Sequence, residues 1–230
     1  MPSRPLQNWT IAWDLDGTLV DSAPDLVRVL NMVLAEEGLP AAPYDDARNF
    51  VGHGARALIE RAFSHFGYPT LTDELATELT NRFLRYYADN IAQETKCFPG
   101  IVAALDALSG HGAKHAICTN KRTALSIQLL EALILTDRFS AIIGADSASR
   151  RKPDAAHLIE TIAAAKGDLS KTIMVGDSRT DSGAARAAGA PFVLVSYGYA
   201  GEPLEAISHD ALAHSADEIA AACLKLAAAH

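Results

Sequence analysis

A long helical interval near the start of the chain constrains the fold more than any other feature of the sequence. Apolar runs of strand length occur at residues 10–15 (TIAWDL), 114–119 (KHAICT), 140–144 (SAIIG), 172–176 (TIMVG) and 191–196 (PFVLVS). Their near-continuous apolar character is that of strands covered on both faces. From residue 100 onward they alternate with helical stretches at 122–135, 154–166 and 179–188, which predicts a parallel α/β sheet. Gly167 and Gly189 follow two of these helices, where a C′ glycine belongs. Ser215 and Glu218, at capping-box spacing, open a closing helix over 215–229. Between the first two strands, however, everything from Pro24 to about Glu94 has a helical pattern, as in DLVRVLNMVLAEEG, ARALIERAFSHFG and DELATELTNRFLRYYADNIAQE. A crossover between parallel strands needs only about a dozen residues. A helical insertion after strand one is therefore expected, with residues 1–22 and 96–230 forming the α/β core and 23–95 the insert.

Composition supports a folded chain of one large or two unequal domains. Of 230 residues, 49% are hydrophobic and 21% charged, enough apolar material for a substantial core. A net charge of −8 and the lack of any long Lys/Arg run argue against nucleic acid or an anionic membrane surface as partner. No stretch approaches the about 20 apolar residues of a spanning helix. The opening MPSRPLQNWT has no signal-like apolar region, so a cytoplasmic monomer or homodimer is expected. Cys97, Cys118 and Cys223 show no pairing rhythm, which argues against a disulfide framework or a cysteine zinc site.

Chemistry concentrates just beyond the apolar runs. Asp14-Leu15-Asp16-Gly17-Thr18 follows the first strand, at the carboxyl end where open α/β sheets bind ligands. Alternation along a strand would put Asp14 and Asp16 on one face, and Gly17 permits a sharp exit with backbone N–H groups close to an anion. Asp-Gly is also a common turn, but a turn does not account for a first carboxylate at the end of a buried strand. Thr119-Asn120-Lys121 follows the second strand with a hydroxyl, an amide and a cation, or with a helix N-cap. Arg150-Arg151-Lys152-Pro153-Asp154 is a basic cluster or a solvated loop. Gly176-Asp177-Ser178, with Asp181, offers carboxylates for metal ligation or for helix capping. Strand ends of one parallel sheet share one edge, which gathers Asp14, Asp16, Asp177 and Asp181 opposite Thr119, Asn120 and Lys152. Clustered carboxylates call for a cation or a proton, and hard oxygen ligands suit Mg²⁺.

In order and spacing, DLDGTLVDS, TN, K-P and GDSxxD resemble the four motifs of the haloacid dehalogenase-like hydrolase superfamily. VGHGARALIERAF, ICTNK, KPD, VGDSRTDSGAARAAGAP and SYGY resemble its phosphoglycolate phosphatase family. The resemblance implies a Rossmann-like parallel core with an inserted α-helical cap, and an Mg²⁺-dependent phosphatase acting on a small phosphorylated metabolite, 2-phosphoglycolate foremost. It implies Asp14 as nucleophile, Asp16 as general acid/base, and Mg²⁺ held by Asp14, the Asp16 carbonyl and Asp177, with Asp181 in support. Thr119, Asn120 and Lys152 would hold phosphoryl oxygens, with Gly17 and Thr18 beside them. Chemically this is in-line attack by a carboxylate, followed by hydrolysis of the acyl phosphate.

Rival readings are a phosphomutase with the same aspartyl-phosphate chemistry and a non-catalytic phospho-acceptor module. Asp16 argues against the module, since a phospho-acceptor needs no acid for a leaving group. Gly52-His53-Gly54 is half a dinucleotide fingerprint without its third glycine. In the insert, His53 and Arg56 are candidates to read a small carboxylated leaving group; alternatively the glycines only break two helices and Arg56 is solvated. The Tyr86-Tyr87 pair reads as packing.

Overall fold

The structure, a computed structural model, describes residues 4–52 and 54–230. The core is a sheet of β1 (Thr10–Trp13), β4 (Lys114–Thr119), β5 (Ile142–Gly144), β6 (Thr172–Gly176), β7 (Phe192–Val195) and β8 (Ala211–Ala213), all parallel, in the order β5-β4-β1-β6-β7-β8. Chain order runs outward from β1 in both directions, so a topological switch point lies at its carboxyl end. Such points are where ligands bind in open α/β sheets.

Side chains alternate across β1 as a doubly covered strand requires. Ile11 and Trp13 join one apolar cluster with Leu105 of α5 (Ile101–Gly110) and Ile219 of α9 (Ala216–Ala228). Ala12 faces the other, with Leu158 and Ile162 of α7 (Ala155–Ala164) and Ala185 of α8 (Arg179–Ala188). The helix α6 (Thr123–Ala132) follows β4. Ser215 caps α9 as its spacing predicts, accepting from the Glu218 N–H.

Between β1 and β4 the chain forms α1 (Ala23–Glu36), α2 (Tyr44–Arg48), α3 (Ala55–His65) and α4 (Asp73–Asp89). These helices share a third apolar cluster, which includes Leu30, Leu58, Phe83 and Tyr87 and meets the core at Leu125, Tyr199 and Phe98. Two short strands, β2 (Val20–Asp21) and β3 (Lys96–Cys97), pair antiparallel where this helical unit leaves and rejoins the core. Asp25 fastens the same junction: its buried carboxylate accepts from the Glu94 and Thr95 N–H groups and the Thr95 hydroxyl, and pairs with Arg28. Burial alone would raise its pKa, but these hydrogen bonds hold it below the usual carboxylate range.

Several elements differ from the sequence reading. The first strand ends at Trp13, so Asp14 and Asp16 lie on the loop beyond it and strand alternation does not position them. The third strand begins at Ile142. β2, β3 and β8 were not expected; at two or three residues each, they are too short to show periodicity. Gly189 is left-handed (φ 72°) as a C′ glycine should be, but after α7 that position belongs to Lys166 (φ 50°). Gly167 is required for another reason: a Cβ there would stand 2.5 Å from Thr10 Oγ1.

Candidate active site

Four strand-end loops converge at the carboxyl edge of the sheet, those after β1, β4, β5 and β6. Asp14, one residue past β1, is anchored by its own N–H to the Val175 carbonyl (2.9 Å). Asp177 and Asp181 follow β6. Oxygens of these three buried carboxylates lie within 4.8 Å of one another. Lys152, nearly inaccessible, stands among them with Nζ 2.9 Å from Asp14 Oδ1 and 2.5 Å from Asp181 Oδ1.

One ammonium against three carboxylates leaves the cluster negative. Desolvation, with Asp181 and Asp16 nearby, raises Asp14 to about 6 against the pull of Lys152. Asp177 is raised well above its ordinary value by burial, Asp181 and Asp14. Lys152 is pushed up, because Asp14 and Asp181 outweigh its own burial. A compact, buried, all-oxygen donor set with surplus negative charge has the chemistry of a site for a hard divalent cation.

Asp181 fills the capping role left open for it and pairs with Lys152 as well. Its Oδ1 accepts from Lys152, while Oδ2 accepts from the Ser178 N–H (3.1 Å) and hydroxyl (2.6 Å), closing the capping box of α8. Asp177 Oδ2 accepts the Tyr199 N–H at 2.6 Å, and Thr18 Oγ1 lies 3.5 Å from Oδ1. Gly17 (φ 84°) and Gly198 press on Asp177 so closely that a Cβ on either would stand 2.3 Å or less from its atoms. His157 secures the Lys152 loop, its Nδ1 accepting the Lys152 N–H (3.1 Å). Buried and next to Lys152, it is lowered to about 4 and stays neutral.

Above Asp14 and Asp16 lies a cavity of about 230 Å³, walled on the core side by Thr119, Asn120 and Lys121 and on the helical side by Gly54, Phe83 and Tyr87. Asn120 donates to the Lys152 carbonyl (3.2 Å), while its buried Oδ1 has no partner. Thr119 Oγ1 accepts the Lys121 N–H at 3.2 Å.

A family model described as haloacid dehalogenase-like hydrolase matches residues 11–195. The chain belongs to the haloacid dehalogenase-like hydrolase family. The phosphoglycolate phosphatase of Caulobacter vibrioides is 50% identical over 221 residues, covering 96% of this chain and 93% of that protein. That of Agrobacterium fabrum is 45% identical over 210 residues, covering 91% and 89%. The crystal structure of a predicted phosphoglycolate phosphatase from Haemophilus somnus superposes with a TM-score of 0.84 at 29% identity, covering 93% of this chain and 96% of that one. The family resemblance, the α/β fold with its helical cap and the assignment as a phosphoric monoester hydrolase all stand.

In this haloacid dehalogenase-like hydrolase, Asp14, Asp16, Thr119, Asn120 and Arg56 border the cavity, while Lys152, Asp177, Asp181, Gly17 and Thr18 lie buried behind that surface. Arg56 is engaged on the cap itself, by Glu60 (2.8 Å) and Asp73 (2.7 Å). His53 lies outside the described residues.

Three groups had no assigned role in the sequence reading. Lys121 was noted only as part of its motif; its Nζ is 3.1 Å from both oxygens of Asp16, which also accepts the Ser22 hydroxyl (2.6 Å). The 197–199 loop, part of SYGY, holds Asp177 and is itself gripped by Arg48 of the cap, which donates to the Tyr197 and Gly198 carbonyls (3.2 Å each) and lies over the Tyr199 ring. The third is His157. The TNK and SYGY strings carried a signal in the sequence for two of them; Arg48 and His157 carried none. No helix among the described residues is long and apolar enough to cross a membrane.

Proposed function

We propose that this hydrolase is an Mg²⁺-dependent phosphatase of small phosphate monoesters, with 2-phosphoglycolate as its substrate. The observation that carries the reading is the buried group of Asp14, Asp177 and Asp181 around Lys152, bordering a cavity that core and cap enclose together. The substrate is inferred from the names of relatives up to 50% identical over nearly the whole chain.

In this reading residues 1–22 and 96–230 form the catalytic core and 23–95 the cap. Asp14, the Asp16 carbonyl and Asp177 would hold Mg²⁺, with Asp181 in support. Bound there, the cation neutralises phosphoryl charge and orients the substrate. Asp14 attacks phosphorus in line and becomes an aspartyl phosphate, while Asp16 gives its proton to the leaving alkoxide. Lys121 then neutralises the Asp16 carboxylate, which next takes a proton from the water that cleaves the acyl phosphate. Lys152, Thr119, Asn120 and the Gly17 and Thr18 backbone stabilise the phosphoryl oxygens. Arg56 and His53 are the cap candidates to read the leaving group; Arg56 is held by Glu60 and Asp73, and His53 lies outside the described residues.

Phosphate release from a panel of monoesters, with Mg²⁺ and with EDTA, tests the reading. The highest kcat/KM is expected for 2-phosphoglycolate, and none of the activity should survive EDTA. Full activity in EDTA after dialysis would refute the metal role, and a flat profile across the panel would refute the substrate.

A further inference from the structure

The cap contributes one polar atom to the cavity that the fold leaves unsatisfied. Tyr87, on α4, is 1% exposed, and its ring is stacked parallel to Phe83 (6° between planes, 6.2 Å between centroids). Its helix neighbour Tyr86 points away and donates to Glu36 (2.7 Å), so the two tyrosines do different things. The Tyr87 hydroxyl is buried with no acceptor for its proton, its oxygen within reach of the Lys121 ammonium, although the residue borders the cavity. Burying a phenol O–H without an acceptor costs folding free energy, and such exceptions in a native fold call for a cause.

The surroundings of that hydroxyl point to its ligand. The Lys121 ammonium lies 4.3 Å from the Tyr87 ring centroid, and its Nζ is 3.1 Å from each Asp16 carboxylate oxygen. An ammonium approaching the phenol oxygen occupies its lone pairs, which leaves the O–H proton free for another acceptor. Burial raises the phenol pKa, so the group remains a donor. Together, the Tyr87 O–H and the Lys121 ammonium form a small cationic pair of donors beside Asp16. In glycolate, a single methylene separates the leaving oxygen from the carboxylate. With the leaving oxygen at Asp16, the carboxylate can therefore reach only groups immediately next to Asp16. Arg56, a cap cation on the wall, is already matched by Glu60 and Asp73.

We propose that Tyr87 is a specificity-determining residue, its hydroxyl donating to the carboxylate of the leaving group while Lys121 supplies the opposing charge. The inference rests on the reading of this hydrolase as a phosphatase for 2-phosphoglycolate. It is tested with Tyr87→Phe, which keeps the ring packing and removes only the hydroxyl. The quantity measured is kcat/KM for 2-phosphoglycolate divided by kcat/KM for ethyl phosphate, which lacks the carboxylate, together with the melting temperature without ligand.

The wild type should show a quotient well above one. Tyr87→Phe should lower it about 10-fold to 100-fold, the range for losing a hydrogen bond to a charged group, with a melting temperature equal to or above wild type. A wild-type quotient near one would refute the substrate reading, and the proposal with it. A high wild-type quotient that Tyr87→Phe leaves intact would overturn the proposal alone. A lowered melting temperature with equal losses on both substrates would make Tyr87 a packing residue and also overturn it.

Discussion

Lys152 Nζ lies 2.9 Å from Asp14 Oδ1 in a pocket where neither side chain is more than 8% exposed. Lys152 is therefore the internal counter-ion of the carboxylate group. Lys152→Ala should lower turnover by about 10²-fold or more through lost charge stabilisation. It should also destabilise the metal-free protein by about 3 kcal/mol, since it leaves buried carboxylates uncompensated. Thermal melts in EDTA and in Mg²⁺ check this: the variant should regain more stability from Mg²⁺ than wild type does. Equal gains would remove Lys152 from the charge balance of the site.

Asp14→Asn should abolish turnover, because an amide is a poor nucleophile. The same change should leave the metal-free protein at least as stable as wild type at pH 7.5. The fold disfavours the Asp14 carboxylate, raising its pKa to about 6 mainly by desolvation, and the amide removes that charge. Steady-state kinetics and melts in EDTA measure both effects. A loss of only a few-fold would sink the covalent role.

His115 is neutral in the fold. Its Nδ1 accepts from the Trp13 indole (3.0 Å) while Nε2 faces the Leu105 carbonyl (3.2 Å), and burial lowers its pKa to about 4. Between 6.5 and 4 the unfolded chain binds the proton that the folded chain refuses, so this contribution is complete above about 6.5 and lost as pH falls through 4. The stability cost of His115→Gln should thus be larger at pH 7 than at pH 4.5. Urea midpoints in EDTA at the two pH values measure it, and the carboxylate contributions cancel in the comparison. A cost independent of pH would contradict the neutral buried imidazole.

Ile134 is left-handed (φ 58°) and 90% exposed. A left-handed β-branched residue carries about 1–2 kcal/mol of steric strain, and at this exposure its side chain recovers almost nothing by burial. Ile134→Gly should stabilise the protein by about 1 kcal/mol after the entropy of the freer unfolded chain is counted, which is about 2–4 °C in Tm for a chain of this size. A lower Tm would mean that Ile134 packs on something in solution.

The strand-end positions of Asp14, Thr119, Lys152 and Asp177 were legible because topology alone gathers them. Parallel strands joined by right-handed crossovers put every carboxyl end on one edge. The helical insert was legible from the length of its periodic pattern. Helix capping by Asp181 was readable from the spacing of Ser178 and Asp181, although its second bond, to Lys152, was not.

What the sequence by itself determined was the α/β alternation, the interruption after the first strand, and the residue types waiting at each strand end, because these follow from local periodicity and chain order. The tertiary structure alone decided which charges meet and what the cap shows the site. Lys121 finds Asp16 across 105 positions, Arg48 of α2 reaches the loop that holds Asp177, and Tyr87 faces the cavity while Tyr86 faces solvent-side Glu36. The angle at which a cap packs on a core is set by the fit of two apolar surfaces, here through Leu125 and Tyr199. No local pattern encodes such a fit, so Tyr87 reads as packing until the two surfaces are brought together.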